Sequence, residues 1–331
     1  MKRFVAAGLM ALLIGCDSSD PMGESDMRVD DGPGENGSPE LRAEDARFAM
    51  AVDFDDSVSV YVGRLGSLGA VERVSTGSWN EPLALQQGGE RLLFINPGSD
   101  CAPEQLDLTT GEGSDKPNAG SLCTVRSKHV MWPASSVSVL LDAYEHIGFL
   151  PDVSTMNLET GAISELLQGA FPLALSGDSL LVAFPGSLPA NDHRFGIYSL
   201  STARVLDAQD PPSMRFRTGL PMDPELSADL DSHLGMIVHV VRSGSSSQLF
   251  VGRFDEEAPA MVYSTDDEIH SVNMGSDGYV YMAVHPDPGR LGGARIERIR
   301  ILGDNVNYRP EILLEEGDIP GSIGMGWAVF E

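Results

Sequence analysis

The chain has 331 residues, with 49 Asp and Glu against 22 Lys and Arg and a formal net charge of −27. That balance excludes a nucleic-acid partner, since phosphate binding needs clustered cations, and argues against a body lying flat on an anionic leaflet. It suits a soluble body with cationic or cation-bridged partners.

The first element is a leader. Met1-Lys2-Arg3 is a cationic head, Phe4 to Ile14 is apolar or small throughout, and Gly15 offers a small residue for cleavage. The run is shorter than the ~20 apolar residues that span a bilayer. Leu13-Ile14-Gly15-Cys16 resembles the bacterial lipobox, in which a cysteine thiol takes a diacylglyceryl group and becomes the first mature residue. The resemblance implies a signal peptide over 1–15, palmitate-type acyl chains on Cys16, and a lipid bilayer as first partner. Each acyl methylene buries about 0.8 kcal/mol, so such an anchor holds stably. The implied location is the bacterial cell envelope, with the folded body outside the cytoplasm. Asp17 resembles the enterobacterial signal for inner-membrane retention, a rule other phyla do not share, so either membrane fits.

Residues 16–45 follow as a tether rich in Asp, Glu, Gly, Ser and Pro and without aromatic residues. Such a segment cannot bury enough apolar area to offset its ordering entropy. It reads as an extended acidic spacer. Beyond it lie Cys101 and Cys123, an even pair in an exported chain, where disulfides persist. A bridge between them closes a short loop and contributes roughly 3 kcal/mol.

Residues 46–331 read as all-β. Short β-branched runs alternate with Gly, Pro, Asp and Asn. The clearest unit is IHSVNMGSDGYVYMAVHP, then ARIERIRIL, then PEILLEE. Ser276-Asp277-Gly278 is its tight turn. Tyr279, Tyr281 and Ala283 alternate with Val280, Met282 and Val284, which predicts a strand covered on both faces. The same phrase recurs with starts near Pro82, His129, Pro172, Leu226 and Ile269. That spacing fits four-stranded propeller blades. Three strands before Pro82 and the lone strand SIGMGWAVFE at the other end make a sixth blade if the two pair and shut the ring. The expected fold is therefore a β-propeller of six four-stranded blades closed by the C-terminal strand; a seven-bladed or open array would use similar units.

These repeats resemble the TolB-like propeller repeats, whose phrase runs roughly "SPDG, apolar strand, then an I-Y-x-x-D-L-x-T-G strand and turn". The matching stretches are GSDGYVYMAV, SGDSLLVAF, FGIYSLSTARVL and MNLETGAISELL. The resemblance covers the body from about Arg47 onward and implies the six-bladed architecture.

Reactive constellations are sparse. No HExxH, G-x-S-x-G or GxxxxGK[ST] signature occurs, and Gly63, Gly66 and Gly69 lie between strands with no following helix. His233 and His239 are six apart, so they share a strand face as a metal pair, or serve as one turn and one strand histidine. Acidic stretches at Asp53 to Asp56, Asp229 to Asp231 and Asp266-Asp267-Glu268 supply oxygen ligands of the kind calcium takes, but also read as solvated turns. Trp79, Trp132 and Trp327 read as packing residues.

Two functions suit this inventory. One is an envelope binding or scaffold module that engages a protein or small ligand. Its favoured surface is a rim formed by the loops Pro97 to Glu104, Pro185 to Arg194 and His285 to Arg295. The other is a metal-assisted hydrolase or lactonase in the tunnel, which requires inward-facing Asp, Asn, Glu and His from several blades.

Overall fold

A computed structural model describes residues 47–65, 71–74, 81–95, 103–115, 130–143, 152–184, 194–206, 227–231, 234–243, 246–253, 259–275, 277–286, 293–302, 307–315 and 317–330. The leader, Cys16, the tether, Cys101 and Cys123 lie outside them, as do the rim-loop segments 97–102, 185–193 and 287–292.

The described residues form six antiparallel sheets arranged as the blades of a propeller. Blade 1 joins both ends of the body: β1 (Arg47–Phe54), β2 (Ser57–Arg64) and β3 (Glu72–Arg73) are completed by β23 (Gly324–Phe330), in the order β23-β1-β2-β3. Phe48 pairs with Phe330 and Asp53 with Gly324. The last strand is thus the innermost strand of the first blade, and the ring closes as the sequence predicts.

Blade 2 holds β4 (Glu81–Leu85), β5 (Arg91–Ile95), β6 (Pro103–Asp107) and β7 (Gly113–Asp115). Blade 4 holds β11 (Phe171–Ser176), β12 (Ser179–Phe184), β13 (Arg194–Ser199) and β14 (Arg204–Leu206). Blade 5 holds β15 (Ala228–Asp231), β16 (Met236–Ser243), β17 (Ser246–Arg253) and β18 (Ala260–Thr265). Blade 6 holds β19 (Glu268–Met274), β20 (Tyr279–His285), β21 (Arg295–Arg300) and β22 (Asn307–Leu314).

Blade 3 departs from the expected four strands. Its sheet has β8 (Ser138–Ala143), β9 (Asp152–Asn157) and β10 (Ile163–Leu167). The innermost position is filled by Val130 to Trp132, held by reciprocal bonds between Met131 and Leu140 (N···O 2.9 and 2.8 Å). Pro133 follows, and its missing N–H ends the ladder there.

Six apolar clusters fill the seams between neighbouring blades. The seam of blades 5 and 6 packs Met236, Val238 and Leu249 against Val280, Met282 and Val284. The opposite face of the same strand β20 packs Tyr281 and Ala283 against Phe48 and Met50 of blade 1. The two-faced alternation read from the sequence is therefore the signature of a strand inside one blade, burying one face in each adjoining seam. Gly63 belongs to this packing. A Cβ there would meet the Phe48 ring at 2.5 Å, so the glycine admits a core aromatic.

The repeated phrase is structural at its turns. At Asp277-Gly278, Gly278 has φ +78° and its carbonyl accepts from Ile301 and Leu302 N–H (2.9 and 3.1 Å), tying the first hairpin to the end of the third strand. In blade 4 Asp178 makes the same tie through the Ser199 hydroxyl, the Ser201 hydroxyl and the Ser201 N–H, each at 2.7 Å. The Thr109-Thr110-Gly111 and Glu159-Thr160-Gly161 turns each close on a side-chain oxygen. Asp107 accepts from Thr109 and Thr110 N–H, and Asn157 from Glu159 and Thr160 N–H.

Candidate functional site

Innermost strands of all six blades surround a central cavity of ≈ 140 Å³. Irregularities in those strands shape its wall. Against their second strands, β4, β11 and β19 each shift register by one residue, at Leu83, Leu173 and His270. Such a bulge turns an extra side chain toward a face that strict alternation would deny it. All three residues line the tunnel.

The lining is divided. Blades 2, 3 and 4 supply mainly Leu83, Leu85, Val130, Trp132, Leu173 and Leu175, and blade 1 supplies Ala328, Val329 and Phe330. Polar side chains come chiefly from blades 5 and 6, as Ser227, Asp229, His270, Ser271 and Asn273. Gln87 on the apolar side is engaged by the frame: its Nε2 donates to the Leu175 carbonyl (3.1 Å) and its N–H to the Trp132 carbonyl (2.9 Å). The neighbouring Gln86 is buried and its amide donates to the Ser136 carbonyl at 3.2 Å.

Ser227, just before β15, and polar residues of β15 and β19 also stitch blades together. Ser227 Oγ accepts from Val272 N–H (3.0 Å), and Asp229 Oδ2 accepts from Met274 N–H (2.6 Å). Ser271 Oγ donates to the Ala328 carbonyl at 2.9 Å, joining blade 6 to blade 1. Asp229 is deep in the ring while keeping partial access to the tunnel. Burial pushes its carboxyl up to about 7, against the lowering effect of the Met274 and Leu230 N–H groups; the nearby Asp231 adds to the rise.

Histidines divide by environment. His239 is 1% exposed in the seam between blades 4 and 5, with ring centroids 5.3 Å from Phe195 and 5.2 Å from Phe250. Burial lowers its pKa to about 3, so it is a neutral core residue. His233 lies outside the described residues. His270 faces the tunnel, with its ring centroid 6.4 Å from that of His285. Beyond His285 lies Asp53, whose pKa is raised by burial and lowered less by His285.

The acidic stretches do not converge. Asp229 enters the tunnel, whereas Asp231 turns away to accept from Leu234 N–H (2.9 Å). Asp267 pairs with Arg295 at 2.6 Å, and Glu268 pairs with Arg242. Among the described residues no three His, Cys, Asp or Glu side chains lie together as a metal site. In the described lining, Asp, Asn and His side chains come from blades 5 and 6, while the other four walls are dominated by apolar side chains. Trp132, 1% exposed, packs in the seam of blades 2 and 3 with Nε1 donating to the Ser136 carbonyl. Trp79 and the Trp327 side chain lie outside the described set.

No family model matches the chain, and no curated protein matches it in sequence. Solved structures are similar in fold. TolB from Acinetobacter baumannii gives a TM-score of 0.59 at 11% identity, covering 87% of this chain and 67% of that one. A putative TolB from Agrobacterium tumefaciens gives 0.54 at 11% identity, covering 82% and 89%. A chain of the nidogen/laminin complex gives 0.50 at 7% identity, covering 77% and 89%. The body is thus a six-bladed propeller with structural similarity to TolB.

Proposed function

We propose that this chain is a lipid-anchored envelope protein whose propeller is a binding module, held off the membrane by its acidic tether. The observation that carries the binding reading is the divided tunnel wall: five polar side chains on two adjacent blades face apolar walls on the others. A few convergent polar groups on an apolar concavity are the usual make-up of a recognition site. The anchor reading is supported by Leu13-Ile14-Gly15-Cys16 after an apolar leader. The partner is a protein or small ligand of the envelope.

Two measurements test this. Cells fed an alkyne-tagged palmitate should label the wild-type chain and not a Cys16→Ser variant; an unmodified Cys16 in the exported protein overturns the anchor. Crosslinking in intact cells, followed by capture from solubilised envelope, should recover a specific partner or ligand. Repeated capture of nothing beyond the controls overturns the binding module.

A further inference from the structure

We propose that the tunnel is a receptor for a primary ammonium group, seated against the Asp229 carboxylate with its alkyl stem along the apolar walls of blades 2 to 4. This rests on the binding-module reading and names the chemistry it recognises.

Two bonds between the blades do the same structural job. Ser227 and Asp229 each accept a backbone N–H from β19, at 3.0 and 2.6 Å. Ser227 does so with a neutral oxygen. Asp229 does so with a carboxylate in a site that disfavours its charge. A neutral asparagine would join the blades without that penalty, so the stitch does not account for the acid. The influences that set the acidity of Asp229 are burial, two backbone N–H groups and Asp231, none of them a cation. A bound ammonium supplies a counter-charge to the carboxylate. Ser227 and Ser271 line the same side and offer hydroxyl oxygen atoms to the remaining N–H groups of an ammonium.

The size of the cavity narrows the occupant. At ≈ 140 Å³ it falls below the ~300–1,000 Å³ of sites for drug-sized ligands. It suits a single stem with a charged head. Leu83, Leu173 and Leu175 opposite would pack methylenes. A small alkylamine and a lysine side chain of a partner present the same chemistry.

The test titrates full-length protein calorimetrically with n-butylammonium chloride, with a capped peptide carrying one lysine, and with butan-1-ol as the neutral match. At pH 8 at least one of the two cations should bind saturably and butan-1-ol should not. Binding should weaken about tenfold at pH 6, where most of the carboxylate is protonated. His270 also lines the tunnel, and a positive charge on it would repel an ammonium. Beyond it His285 and Asp53 are the next titratable groups. The Asp229→Asn variant separates these: folded by circular dichroism, it should lose binding at both pH values. Butylammonium binding without peptide binding assigns a small amine; peptide binding assigns a partner's lysine.

No cation binding at pH 8, equal binding of butan-1-ol, pH-independent affinity, or retained binding by folded Asp229→Asn each overturns the proposal. The first three need only wild-type protein. An envelope partner captured equally by wild type and Asp229→Asn, together with no cation binding at pH 8, would leave the binding module standing and the ammonium site refuted. Amine binding with no captured partner would support the site and count against a protein partner.

Discussion

Replacing Asp229 by Asn should make the fold more stable, and increasingly so as pH rises. The folded carboxyl titrates near 7, whereas an ordinary aspartate titrates at 3.8. A raised carboxylate pKa means the native state holds the proton more tightly than the unfolded chain. Stability is therefore greatest at low pH and declines as pH climbs from about 4 to about 7, by about 1.4 kcal/mol per pH unit. Between pH 5 and 7 that is roughly 2–3 kcal/mol. Asp229 keeps partial access to the tunnel, so screening reduces this to about 1–2 kcal/mol. Asparagine retains an acceptor for Met274 N–H and titrates nowhere in this range. His239 acts in the opposite sense: with a folded pKa near 3, its contribution is fully present above its unfolded value of 6.5 and fades as pH falls. Wild type alone would show the two partly cancelling, so the comparison between the two proteins is what isolates Asp229. Urea unfolding followed by tryptophan fluorescence at pH 5, 6 and 7 is the assay. With a slope of about 3 kcal/mol/M, the variant's midpoint should pull ahead by about 0.5 M over that interval. A gap that stays constant with pH would show that Asp229 is not desolvated in the folded ring.

Gly278→Ala places a Cβ 2.9 Å from Leu302 Cβ at a φ of +78° and should lower stability by about 1–3 kcal/mol, read as a lower thermal midpoint. Arg295→Ala strands Glu297, which is 2% exposed and bound by Arg295 at 2.5 Å; a loss of about 3 kcal/mol in urea is expected, with Arg295→Met/Glu297→Leu recovering most of it. Deleting β23 uncovers the inner edge of β1, so the truncated chain should elute as aggregate or dimer in size exclusion rather than as monomer. Thiol titration of the unfolded, unreduced protein should detect neither Cys101 nor Cys123; two reactive thiols would reject the bridge.

The blades were legible because their signals are local. Apolar runs and polar turns recur at blade spacing, as at Gly111 and Gly161, and every predicted start falls within a few residues of an observed innermost segment. The third blade's short inner segment was foreshadowed only by Pro133. The tunnel was not legible, for two physical reasons. A bulge reverses the facing of every residue on one side of it, so His270 cannot be placed by counting alternation from Ile269. Asp229 and Asp231 sit two apart and read as equivalent turn acids, yet the strand ends between tunnel and turn and separates them. Only the convergence of six distant strands distinguishes one from the other.

Closure by β23 also has a consequence in time. Phe54 and Gly324, at facing ends of paired strands, are separated by roughly 270 residues. At about 5–20 residues per second, β1 waits on the order of 15–50 s after it is made before its partner exists. Through that interval Phe48, Met50 and Val52, all buried in the finished ring, belong to an unclosed edge. The protein is thus assembled like a clasp whose two halves are made first and last. Its folding depends on keeping the first half unengaged until the second arrives.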